Sequence, residues 1–425
     1  MKLDMRQFGI DAPGAISVVL RMIRNIVRVA LCFFLLIWVS GASAQTLALV
    51  GGNVYASPDV APLPDAVIVA SNGVITAIGS RSDVQIPSDA RTIDCTGKTV
   101  VAGFWNSHVH FTQAVWKNAG TAPAAPLQEH MQEMLTRWGF TSVWDLGSDP
   151  SDTLPLRRRV NAGEVPGPDI RSAGNIFPKG GHPAYLPAEI QLPEAATPDE
   201  AAQMTRRYLG AGLDGMKLFT GAYMGEGKPV VNMDVAVAKA AVDLAHAQGK
   251  PVFAHPQNKV GLETVIAAEV DVLAHIIPGL PGYSPEQLAR FKSQRTALIP
   301  TLSLFAKTIG GPALSARLVE SGVNQIKAFS ENGGPILFGT DVGFTTIYDT
   351  SIEYELMHRA LSERQVLASL TTNPATYFKA ANKGRVEKGF DADLAILDGD
   401  PIADVSNLAK VAYTIRAGKV IYQRP

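Results

Sequence analysis

The stretch "MDVAVAKAAVDLAHAQGKPVFAH", residues 233–255, decides the fold because the rest of the chain repeats what it does. Residues 233–248 read as a helix that stops at Gly249, a residue suited to the turn out of a helix. "PVFAH" (251–255) then reads as a short apolar strand closed by a histidine. Working outward, "TPDEAAQMTRRYLGAG" (197–212) opens with Thr197, Pro198 and Glu200, a capping box with proline at the first helical position, and "GMKLFT" (215–220) follows as a strand. The cap chemistry recurs in "SPEQLARF" (Ser284, Gln287) and "SERQVLASL" (Ser362, Gln365). Strand–helix alternation over about 270 residues predicts an α/β fold with a parallel sheet, and that length suits a (β/α)8 TIM barrel. An open doubly wound sheet is the alternative, weakened because no G-x-G-x-x-G follows a first strand.

The two flanks differ from the middle. "TLALVGGNVYA" (46–56), "DAVIVASNGVITAIGS" (65–80, with the turn Asn72-Gly73) and "RTIDCTGKTVV" (91–101) read as strands and hairpins. At the other end "ADLAILDGD" and "VAYTIRAGKVIYQ" read the same way, the latter turning at Ala417-Gly418. Segments 45–101 and 371–425 are therefore expected to pair into one small β-sandwich beside a barrel spanning 102–370. Residues 1–44 stand apart: Arg21, Arg24 and Arg28 precede "VALCFFLLIWV" (29–39), and small residues end at Ala44. That pattern predicts a cleaved signal peptide and an exported protein, periplasmic or secreted; an uncleaved anchor is the alternative, and Met22 is a second candidate start. Cleavage would leave Cys95 as the one cysteine, so no internal disulfide is expected. A net charge of −1 without basic runs after residue 28 argues against a nucleic-acid partner and, once the signal is gone, no membrane partner is expected. Whether the chain forms a homo-oligomer is not readable from it.

In a barrel, chemistry collects at the C-terminal strand ends. Four of the eight histidines close apolar strands: His108 and His110 in "GFWNSHVHF", His255 in "PVFAH" and His275 in "EVDVLAH"; Asp341 ends "PILFGTD". Any one of them alone reads as a buried, hydrogen-bonded side chain, but together they make a set of divalent-metal ligands. Lys217 in "GMKLF" sits among large apolar residues. Either its strand is an edge with the ammonium in water, or the amine points inward and is neutral or has reacted. Carbon dioxide adding to a neutral amine would give a carbamate able to bridge two cations. Two divalent ions with that carbamate, Asp341 and a hydroxide would leave the centre at about +1.

These motifs, with "FAHPQ", "LAHIIP" and the tail "GFDADLAILDGDPIADVSNLAKVAYTIRAGKVI", resemble the amidohydrolase superfamily from about residue 46 to the end. The branch they resemble is that of imidazolonepropionase-like and Xaa-Pro-dipeptidase-like hydrolases with a carboxylated lysine. The resemblance implies a distorted barrel with a terminal β-sandwich. It also implies two divalent metal ions, zinc first among candidates: His108, His110 and Asp341 on one, His255 and His275 on the other, with N6-carboxylated Lys217 bridging. His182, in "AGNIFPKGGHP", and Tyr223 would contact substrate. Asn106 and Ala274 depart from the family, which often has Asp and Glu there. His130, His246 and His358 are read as surface or packing residues, and Asp145 as structural.

The expected activity is hydrolysis of a C–N amide bond in a small molecule such as a dipeptide or N-acyl amino acid, by a metal-bridging hydroxide with Asp341 as proton shuttle. A mononuclear deaminase on the same fold, or an exported metal- or solute-binding protein, are the alternatives.

Overall fold

Seven parallel strands lie side by side in the order Phe104–Val109, Phe140–Asp145, Asp169–Pro178, Gly215–Leu218, Val252–Ala254, Val272–Leu273, Ala297–Leu298. The computed structural model in which they are seen describes residues 46–307 and 311–425, so the expected leader at 1–44, with Cys32, falls outside the described residues. Segment 335–342 supplies the eighth wall. Leu298 N donates to Pro335 O at 3.0 Å and Leu337 N to Leu298 O at 2.9 Å on one side. On the other, Ser107 N donates to Phe338 O at 2.7 Å and Asp341 N to His108 O at 2.9 Å. One segment thus bonds to both the seventh and the first strand, and the sheet closes into a distorted barrel rather than staying open. The helices form where their caps are written: Thr197/Glu200, Ser284/Gln287 and Ser362/Gln365 all make reciprocal capping boxes. Helix Val235–His246 starts on Asp234, and Gly249, at φ +65°, carries the chain round into the next strand.

Alternating inward residues fill the barrel in layers. Trp105, Trp144, Phe253, Ala297 and Leu337 form an apolar plug. It is floored by Phe378, whose ring lies 5.0 Å from that of Trp144, and by the Arg171 guanidinium, 5.1 Å over Trp105. Two residues further along a strand the side chain returns to the inside. Phe253 is therefore followed by His255, and the plug gives way to a polar rim.

The chain ends meet as expected. Strand Lys98–Ala102 pairs antiparallel with Leu394–Asp398, joining N- and C-terminal strands in one mixed eight-stranded sheet. Its far edge curls back: Ile75 N donates to Phe390 O at 2.8 Å and Gly389 N to Ile75 O at 2.8 Å. Leu49, Ile68, Ile75, Val100, Ile396 and Ile415 make the enclosed core. Of segment 371–425, the stretch Thr372–Tyr377 is a helix against the barrel and the sheet strands follow it. Cys95 is buried and unpaired with any other cysteine. No helix among the described residues is long and apolar enough to cross a membrane.

Candidate active site

His108, His110, Lys217, His255, His275 and Asp341 all line one cavity at the C-terminal end of the barrel. Asp341 is its centre. His110 Nε2 lies 2.9 Å and His108 Nε2 3.3 Å from Asp341 Oδ1, while His275 Nε2 is 3.9 Å from Oδ2. The His255 and His275 rings are 4.7 Å apart between centroids, and those of His108 and His275 are 4.6 Å apart. The H-x-H pair reaches one point because side chains two residues apart on a strand share a side, and both rings line the cavity.

Hydrogen bonds and backbone bends hold these side chains in place. His108 Nδ1–H donates to Ala274 O at 2.9 Å, which leaves the Nε2 lone pair facing Asp341. His275 Nδ1 meets Thr301 Oγ1 at 2.7 Å in the same arrangement, and His255 Nε2 engages Gln257 Oε1 at 3.1 Å. Asn106 was noted in the sequence only as a departure, but its amide ties the first strand to the eighth. Its Oδ1 accepts from His108 N and Thr340 N, and its Nδ2 donates to Thr340 Oγ1 at 2.8 Å. Asp341 itself sits at φ +60° and Thr301 at φ +49°, backbone conformations rare for such residues and typical of sites held open by their surroundings. Gly343 makes Asp341's bend feasible: at φ +98°, a Cβ there would stand 1.7 Å from His110 O.

Lys217 is 1% exposed, so the edge-strand reading of this residue does not hold. It pairs in register with Asn175 on one side and Phe253 on the other, in mid-sheet. Burial pulls its amine down from the ordinary lysine range to about 7, with only the Asp341 charge opposing. Burial chiefly, with the neighbouring cationic groups, lowers His255 to about 3 and holds His108 and His275 well below the usual imidazole range. Three neutral imidazoles beside a buried carboxylate are the donor chemistry a divalent metal requires. His108 Nε2 and Asp341 Oδ1 are buried yet have no well-formed hydrogen bond. His108, His275 and Asp341 offer three donor atoms within 4.8 Å of one another. The residues fit a metal.

Tyr223 lines the cavity mouth at 37% exposure. His182 does not line it. Its ring nitrogens lie 3.2 Å from Pro183 O and 3.3 Å from Ile190 O, inside the loop whose Tyr185, Leu186 and Ile190 do. Asp145 is buried and accepts from Ser148 N, Ser148 Oγ and Ser172 Oγ, a clip between neighbouring strands. His130 bonds to Gln113, His246 to Asp271 Oδ2 at 2.9 Å and His358 to Leu361 O at 3.1 Å.

Comparison with known proteins agrees with this geometry. The Amidohydrolase family model matches residues 99–421. An uncharacterized protein of Mycobacterium tuberculosis is 31% identical over 267 residues, 59% of this chain and 65% of the relative, so the match spans less than two thirds of that protein. Ochratoxinase of Aspergillus niger is 22% identical over 395 residues, covering 82% of this chain and 80% of the enzyme. A crystal structure of a Xaa-Pro dipeptidase with methionine bound in the active site shares the fold at TM-score 0.76, with 22% identity over 89% of this chain and all of that one. The ordered strand-end donors, the closed barrel and the family match lead to one conclusion: the chain belongs to the amidohydrolase family.

Proposed function

We propose that the protein hydrolyses the C–N amide bond of a small molecule with two divalent metal ions, zinc first among candidates, bridged by carboxylated Lys217. The observation that carries this is a lysine amine buried mid-sheet among three neutral histidines, with burial favouring its uncharged form. A neutral amine adds carbon dioxide: the nitrogen lone pair bonds to carbon, one N–H proton leaves to solvent, and the product is an anionic carbamate. His108, His110 and Asp341 would hold one ion, His255 and His275 the other. When bound, the ions supply Lewis acidity, polarising the scissile carbonyl and lowering the pKa of water to about 7. Asp341 Oδ1 takes the proton of the attacking water and returns it to the leaving nitrogen. Ala274 O, Thr301 and Asn106 keep the donors oriented throughout.

The tight group of His108, His275 and Asp341 would by itself suit one ion, as in a mononuclear deaminase, and Lys217 would then have no role. Metal analysis of the zinc-loaded protein separates the two. About two ions per chain with amide turnover support the proposal; about one ion per chain with release of ammonia would favour deamination; metal without turnover on amides, esters or lactones would return it to a binding protein. We also propose export, residues 1–44 acting as a signal removed after Ala44, and the division into a composite sheet domain (45–101 and 371–425) and a barrel domain (102–370); N-terminal sequencing of the mature chain tests the first.

A further inference from the structure

The cavity is spacious for a small-molecule site and bordered by apolar side chains. It encloses about 1190 Å³. Beside the metal ligands rises an aromatic wall. Asn175 and Lys217 pair in register on the third and fourth strands, and two residues beyond them stand Phe177 and Phe219. Their rings stack at 3.9 Å between centroids and 16° between planes, and Phe219 stacks in turn on His255 at 5.0 Å. The wall therefore begins at a metal ligand and runs outward. At the mouth, Tyr185 from the loop after the third strand meets Phe344 from the loop after the eighth, edge to face at 5.3 Å. Of ten large hydrophobic side chains exposed among the described residues, five line this cavity: Tyr185, Ile190, Tyr223, Leu314 and Phe344. Exposed apolar surface gathered at one pocket, rather than scattered, marks a surface that a ligand covers.

Charge narrows the ligand further. Apart from histidines, the cationic side chains lining the cavity among the described residues are Lys217 and Arg207. Lys217 belongs to the metal centre. Arg207 belongs to the outer helix Pro198–Gly210 and lies 5.4 Å over the ring of Tyr208. Tyr208 covers the outer face of Gly174, where a Cβ would come within 2.4 Å of its ring, while Asn175 faces the inside. The third strand thus stands between Arg207 and the metal end. Apart from the metal centre itself, a substrate carboxylate brought there would lose water without meeting a side-chain cation.

We propose that the substrate is an uncharged amide carrying an aromatic or comparably bulky apolar group, seated between the Phe177–Phe219 wall and the Tyr185–Phe344 pair. This rests on the amide-hydrolysis reading, and the test keeps the two apart. With zinc-loaded full chain, benzoate release from N-benzoylglycinamide is compared with that from N-benzoylglycine, which carries a carboxylate in place of the terminal carboxamide. Acetate release from N-acetylglycinamide, which lacks the ring, is the third arm. The neutral benzoyl amide is expected to lead both by about tenfold or more in kcat/KM. Phe219→Leu and Tyr185→Ala are expected to raise KM for the benzoyl substrate several-fold more than for the acetyl one. A lead for N-benzoylglycine or N-acetylglycinamide, or variants that affect both acyl groups equally, overturns the substrate class while leaving amide hydrolysis intact. If no amide turns over, the hydrolysis reading fails, and calorimetric binding of the same three compounds decides. Tighter binding of N-benzoylglycinamide by about tenfold keeps the ligand class; equal or weaker binding removes it.

Discussion

At the residue scale the centre depends on what Lys217 carries and what Asp341 does. Lys217→Ala would remove the proposed bridging anion, so zinc-loaded variant should hold about one ion per chain or fewer, and short carboxylic acids should restore part of both metal content and turnover; two tightly held ions without rescue would show that the bridge is not needed. Asp341→Asn keeps an oxygen donor but would lose the proposed base. It should retain most metal while kcat falls by about 10²–10⁴, the range proton transfer supplies, as measured on the best amide found. The four histidines and Asp341 that line the cavity were legible because each ends an apolar strand, whose period places them on one rim. Their supports were not. Asn106 acts on Thr340, 234 residues away, and His108 is oriented by a backbone carbonyl, Ala274 O, whose side chain carries no signal. His182 was expected to face substrate, yet its ring spans carbonyls within its own loop; the Gly-Gly-His signature shows a loop and not its inner direction.

Among elements, the three capping-box helices were readable from their caps, and strand Ala297–Leu298 was not readable at all. Ala297–Leu298 is two residues long, too short for periodicity to register, whereas Val272–Leu273 and 335–342 were marked by the apolar runs that end in His275 and Asp341, the latter closing the barrel through scattered bonds. One buried carboxylate stabilises this irregular quarter. Glu353, fully buried on helix Ser351–His358, accepts from Leu302 N at 2.8 Å and Ser303 N at 2.6 Å. Those amides open the short helix Leu302–Lys307, whose Leu304 and Phe305 line the cavity. Glu353→Ala strands two buried N–H groups, so unfolding free energy should drop by about 2–4 kcal/mol in urea titrations. Because the helix carries cavity wall, KM should rise as well. An unchanged denaturation midpoint would mean that water replaces the carboxylate and that the clamp is dispensable.

For the whole molecule, the hairpins at both ends were legible but the curl that closes their sheet was not, since it depends on the irregular segment 389–392 meeting strand Val74–Ser80. That framework and the plugged barrel keep Lys217 out of water, and this has a thermodynamic consequence for global unfolding. In the metal-free fold the amine titrates near 7, whereas the unfolded chain releases it to its ordinary value of 10.5. Between those values the unfolded state binds more protons, so stability rises with pH. Below about 7 both states are protonated, and the full cost of the buried ammonium is felt. Comparing wild type with Lys217→Met, which fills similar space without charge, isolates this group from every other titration. In metal-free, carbon-dioxide-free buffer the wild type should gain on the variant with a slope approaching about 1.4 kcal/mol per pH unit above pH 8, roughly 2 kcal/mol in total from pH 7 to 9, read from paired urea titrations. A difference that stays flat over that range would mean that the amine reaches solvent in the fold, and the case for a carbamate at this position would lose its physical basis.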